Sequence, residues 1–134
     1  MSLGTWDPNA DAAAGNASID TPTLQQLMDY SRSDLLASLP EHLAGDESQR
    51  LSGLMHIDHG DWTATAEALT DDDIRHLIRF FAVAENLPGW EAGERSPVIP
   101  LARVLRQRGQ RLEREFLLWL REVSDNRFLP YGPL

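Results

Sequence analysis

The chain has 134 residues, a formal net charge of −9 and 42% hydrophobic residues. That is one domain's worth of chain, long enough to bury about two thirds of its unfolded surface without staples. It holds no cysteine and no lysine, which excludes disulfides, thiol nucleophiles, iron–sulfur clusters, thiolate zinc sites, Schiff-base lysines and P-loop lysines.

Charge is unevenly placed. Up to Glu94, four arginines stand against seventeen acids, a net charge of −13; from Arg95 onward, eight arginines stand against four acids, a net charge of +4. Such halves predict an acidic surface facing a basic helix, within one molecule or between copies. The acidic total argues against nucleic acid and anionic membrane as partners. The absence of lysine, with Asp outnumbering Glu, is also what a GC-rich or salt-adapted genome produces without any functional cause.

Residues 1–22 read as an N-terminal arm, rich in Ala, Asn, Asp and Gly and without apolar periodicity. It has neither the basic start nor the apolar run of a signal peptide, so the cytoplasm is the expected location. Trp6 is an expensive side chain to leave in water, which predicts a docked arm. Thr21-Pro22 is an N-cap and first-turn pattern, and Leu24, Leu27 and Met28 form the apolar stripe that follows. Leu35, Leu36 and Leu39 lie on a short turn that Pro40 interrupts. Gly45 reads as a C-cap, and Leu51, Leu54 and Met55 belong to a further amphipathic piece.

Residues 56–61 read as a loop and residues 62–69 as a short alanine-rich helix. Thr70 opens the clearest helix, an N-cap with Asp73 three residues on and Asp71 and Asp72 at the positive end of the helix dipole. Its two stripes, Ile74, Leu77, Ile78 and Phe81 on one side and Phe80, Val83 and Leu87 on the other, predict a central helix buried on two sides. Ser96-Pro97 is expected to cap the last and longest helix, whose stripe runs Leu101, Leu105, Leu112, Phe116, Trp119, Leu120 and Val123. Gly109 lies on that stripe and predicts a kink or a close helix crossing. Residues 127–134 hold two prolines and a glycine, so they cannot be regular, yet they are too apolar to float free. No segment alternates with period two, so no strand is expected.

Three constellations could carry chemistry. His56, Asp58, His59 and Asp61 are suitable ligand types for a divalent transition metal. They would need a further ligand from His42, His76 or Asp71–Asp73. The competing reading is a polar connector in which Asp61 caps the helix at Trp62, and it carries more weight because no complete metal signature is matched. Arg103, Arg106, Arg108, Arg111 and Arg114 could read phosphate or an acidic partner, although they spread around a helix. The loop bearing Trp90 and the tail bearing Phe128 and Tyr131 could form a groove for a partner, or fold back over the core. No Gly-x-Ser-x-Gly elbow and no glycine-rich loop after a strand occurs, which leaves serine hydrolysis and nucleotide binding of the P-loop or Rossmann kind unsupported.

The expectation is therefore an all-α protein: a compact bundle of about five helices, with an arm over 1–22 and one helical domain over 23–134 that includes an ordered apolar tail at 127–134. Its expected role is a non-catalytic interaction module or accessory subunit, self-associating or bound to a protein partner, with no cofactor. Trp6, Trp90, Arg103, Arg106, Phe128 and Tyr131 are the expected partner contacts. The alternative is a metal-dependent enzyme or metal-binding regulator using His56, Asp58, His59 and Asp61.

Overall fold

The computed structural model describes residues 19–132; Trp6 and most of the arm lie outside them. Among the described residues there are seven α-helices, three short 3-10 turns and no strand. The class is all-α, with more and shorter helices than the expected five. None of these helices is long and apolar enough to cross a membrane.

Helix α1, Thr21–Arg32, begins two residues before the expected boundary. Its N-cap is Asp20 rather than Thr21: the Asp20 carboxylate accepts a hydrogen bond from the Thr23 amide at 2.9 Å. Its buried face is Thr23, Leu24, Leu27 and Met28. A 3-10 turn over Leu36–Ser38 leads into α2, Leu39–His42, where Pro40 sits in the first turn and is tolerated because its missing N–H has no helical acceptor there. Gly45 does not end a helix but opens one, α3, Gly45–Leu51, with φ +64°. A second 3-10 turn, Ser52–His56, follows.

Helix α4, His59–Glu67, starts three residues earlier than expected, and its cap is Asp58, not Asp61: the Asp58 carboxylate accepts from the Gly60 amide at 2.9 Å. Helix α5, Asp71–Ala84, is capped by Thr70 as the sequence implies, its hydroxyl accepting from the Asp73 amide at 3.1 Å. Ile74, Leu77, Ile78, Phe80, Phe81, Ala82 and Ala84 are all buried, so this helix is the centre of the fold. After a 3-10 turn at Gly93–Arg95, the expected long last helix is two helices, α6, Val98–Gln107, and α7, Arg114–Val123. The break is at Gly109, whose φ of +79° only glycine adopts cheaply. The Gln110 amide donates to the Leu105 carbonyl at 2.8 Å and the Gly109 amide to the Arg106 carbonyl at 3.0 Å. That pair of bonds is the Schellman closure of a helix end, so Gly109 terminates rather than kinks.

Helices α1 and α6 pack against α5, α4 packs against α6, and α7 packs on α5. The α1–α5 pair is antiparallel: Arg32 pairs with Asp73, Ser31 Oγ meets His76 Nδ1, and the Tyr30 ring stacks on Phe80. The start of α1 therefore lies at the C-terminal end of α5. Arg79 fastens α7 to α5, its guanidinium 4.7 Å from the Phe116 ring centroid and 5.2 Å from that of Trp119. One hydrophobic cluster runs through all of this, from Leu24 to Leu120.

Arg108 has a role its position in an arginine run conceals. It reaches from the end of α6 to the end of α4, donating to the carbonyls of Ala66, Glu67 and Leu69 at 3.1, 3.3 and 3.0 Å and to the Asp71 carboxylate at 2.7 Å. The last turn of α4 leaves carbonyls without helical partners, and a cation there also meets the negative end of the helix dipole.

Candidate functional site

The segment after α7 is held on the helices by a sequence of specific bonds. Val123 ends α7 and its carbonyl accepts from Asn86 Nδ2 at 2.6 Å. Asn126 then donates through Nδ2 to the Glu85 carboxylate and to the Gly93 carbonyl, both at 2.8 Å, while its Oδ1 accepts from the Phe128 amide at 3.0 Å. The Leu129–Pro130 peptide is cis, and the Gly132 amide closes the turn on the Phe128 carbonyl. Arg103 Nη2 donates to the Tyr131 carbonyl at 2.9 Å, and the Arg106 guanidinium lies 4.3 Å from the Tyr131 ring centroid. Gly132 has φ +92°, which favours glycine, and a Cβ there would come within 3.1 Å of Arg103 Nη2 and 3.4 Å of Ile99 Cγ2 on α6.

Arg103, Arg106 and Tyr131 were each expected as partner contacts. The structure brings the three together, with the arginines holding the tail. Phe128 is half-buried, with the Arg127 guanidinium 5.2 Å from its ring centroid. Trp90 requires a correction. It is fully buried, packs edge-on against Phe80 and donates its indole N–H to Ser48 Oγ at 3.0 Å, so it presents nothing to a partner. Its loop thus supplies a core residue that joins Ser48 of α3 to Phe80 of α5.

Under the tail is a residue the sequence does not single out. Glu85, the C-cap of α5, is buried and accepts from Ser96 Oγ and from Asn126. Burial pushes its carboxyl above the usual carboxylate range, and the bonds from Ser96 and Asn126 pull the other way. Ser96 in turn accepts from the Val98 amide at 3.2 Å, which ties the start of α6 to the same point. The one sequence signal for Glu85 is an acid at a helix C-terminus, where the dipole disfavours it.

Two cavities flank the tail. The larger, about 530 Å³, lies between α7 and the tail and is lined by Leu117, Leu120, Arg121, Arg127, Leu129, Pro130 and Tyr131 among others. The smaller, about 380 Å³, is lined by Ile57, Asp58, His59, Glu94, Arg95, Ile99 and Arg103. Arg95, Arg103, Arg106, Arg121 and Arg127 form no ion pair with another described residue. The face therefore carries arginines and aromatic rings, with Asp58, Glu94 and Asp125 among the cavity linings.

The smaller cavity takes in part of the expected metal site. His56 is exposed, and its carbonyl accepts from Arg95 Nη2 at 3.3 Å; Asp61 is exposed on the first turn of α4. Of the four, only Asp58 and His59 line the cavity, together with Glu94, Arg95 and Arg103. The Asp58 carboxylate is engaged in capping, and His59 Nε2 is enclosed without a hydrogen-bond partner. Among the described residues no group of three or more His, Asp or Glu side chains converges to hold a metal ion. Helix α4 begins inside this segment, at His59. No protein-family model, no curated protein and no solved structure matches this chain.

Proposed function

We propose that this chain is a non-catalytic interaction module or accessory subunit that binds an acidic protein segment on the face made by α6, α7 and the clamped tail. The observation that carries the reading is the cluster of arginines without described acidic partners around Tyr131 and the adjoining groove. Arginine beside tyrosine is the composition of energetically dominant interface positions, since guanidinium both stacks and donates in a fixed fork. Self-association is the special case in which the acidic part of a second copy supplies the partner surface, and the cytoplasm is the compartment proposed for it.

The test uses the full chain and an Arg103→Glu, Arg106→Glu double variant. Partners captured from the native cytosol are purified and re-bound at increasing salt, and the molar mass of each variant is measured by light scattering. The reading expects an acidic partner, or a second copy, bound by the parent and lost from the variant, with affinity falling as salt rises. Equal binding by the variant, or catalytic turnover by the purified chain, would overturn it.

A further inference from the structure

A cavity of about 410 Å³ opens between the α1–α2 connection, α5 and α7 and shares no lining residue with the two beside the tail. Arg79 forms part of its wall. The Phe116 and Trp119 rings hold that guanidinium in place, yet it makes no hydrogen bond and no ion pair with any described residue, and none of its nitrogens is sealed from solvent. A fixed, unpaired fork of this kind matches a carboxylate. Asp34 forms part of the same wall, and its carboxylate likewise has no described partner. An acid is a costly choice there. Asp34 follows the C-cap of α1 at φ +59°, its amide donating to the Ser31 carbonyl at 3.1 Å and the Leu35 amide to the Tyr30 carbonyl at 2.9 Å. That Schellman closure favours glycine, and the negative end of the helix dipole opposes a carboxylate. No side-chain bond to a described residue offsets either cost, which is the pattern of a residue kept for a site. The other polar lining groups, Ser31 and Asn86, are already bonded, to His76 and to the Val123 carbonyl. Leu36, Val83, Trp119 and Val123 also line the cavity, each only partly covered by the core.

We propose that this cavity binds a free α-amino acid with an apolar side chain, its carboxylate on Arg79, its ammonium on Asp34 and its side chain against Leu36, Val83, Trp119 and Val123. The volume lies within the range of small-molecule sites. The charge pattern selects the class. Arg79 and Asp34 do not pair with each other. A simple anion would gain Arg79 but meet Asp34 as a like charge, and a simple amine would gain Asp34 but meet Arg79. A ligand carrying both charges satisfies both groups. This site goes beyond the face proposed for an acidic partner and does not rest on it, so either can fail alone.

The test titrates L-leucine into the full chain by calorimetry and follows Trp119 emission in a Trp6→Phe background, where Trp62 and Trp90 are fully buried. Saturable binding with a Kd below about 1 mM is expected, with Trp119 emission changing over the same concentrations. Isocaproate, which lacks the ammonium, and isoamylamine, which lacks the carboxylate, should each bind at least about fivefold more weakly. Asp34→Asn keeps the shape and tolerates the left-handed backbone. It should weaken L-leucine about fivefold and leave isocaproate no weaker. Arg79→Gln should weaken L-leucine and isocaproate about tenfold, as loss of a charge-assisted fork implies. No saturation by L-leucine, equal binding of the three compounds, or unchanged L-leucine affinity in Asp34→Asn or in a folded Arg79→Gln would each overturn the proposal. If Arg79→Gln does not fold, the two analogues on the parent chain and the exposed Asp34→Asn change decide it.

Discussion

Arg108→Ala is the most informative single change to the fold. The guanidinium makes four hydrogen bonds, three to carbonyls at the end of α4 and one to Asp71, and its side chain is 29% exposed. A net hydrogen bond contributes about 0.5–1.5 kcal/mol. The acceptors lie at the surface and regain water when the arginine leaves, so the low end applies, about 0.5–0.75 kcal/mol each. The Asp71 pair, being partly exposed, deserves no larger share. The sum is about 2–3 kcal/mol, or about 6–9 °C in Tm for a chain of this length. Urea unfolding followed by circular dichroism gives the number, with an unchanged m-value showing that the unfolded reference is the same. Arg108→Lys separates the causes. Lysine keeps the charge at the helix end and can reach one acceptor, but lacks the fork, so it should recover less than half of the loss. A loss below about 0.5 kcal/mol for alanine, or full recovery by lysine, would mean that α4 and α6 are held by apolar packing alone.

Phe81→Ala removes a fully buried ring that meets Trp62 and Phe80 edge-on and should cost about 3–5 kcal/mol in urea unfolding; a value near zero would place the ring outside the core. Glu85 gives a pH dependence of stated sign. Its folded pKa is raised, so its stabilising share is complete below its unfolded value and is lost as pH rises through the folded value. Glu85→Gln should flatten urea midpoints across the range above pH 4.5, relative to the parent; the same slope in both would show that the slope has another origin. Gly109→Ala should cost about 1 kcal/mol, because φ is positive there although a Cβ meets nothing within 4 Å; no loss in thermal unfolding would refute the strain argument.

What was legible in the sequence follows physical locality. The start of α5 is written within four residues, since the Thr70 hydroxyl accepts from the Asp73 amide, and its two apolar stripes state that both sides are covered. The break between α6 and α7 was not legible, for a specific reason. Leu105, Leu112 and Phe116 keep helical spacing across Gly109, and Leu112 is buried from a connector that is not helical. Periodicity records which side chains are covered, not which backbone covers them. The sequence likewise named Arg103, Arg106 and Tyr131 as separate contacts, while their mutual clamp depends on the path of the tail. That path is set by Asn126 and Glu85, forty-one residues apart, and no local pattern relates them. Of the His56–Asp61 cluster, Asp58 and His59 line one cavity and His56 and Asp61 are exposed, an arrangement set by where α4 begins and not by spacing along the chain.

The placement of the tryptophans gives the molecule a built-in optical readout. Trp62 and Trp90 are sealed in the aromatic interior with their indole N–H groups bonded to Leu54 and Ser48, whereas Trp119 is only partly covered, on α7 beside Arg79. Acrylamide added from solution should quench the emission of Trp119 and leave the blue-shifted emission of the interior pair. In a Trp6→Phe background, events along α7 can then be followed by light alone, without attaching any label.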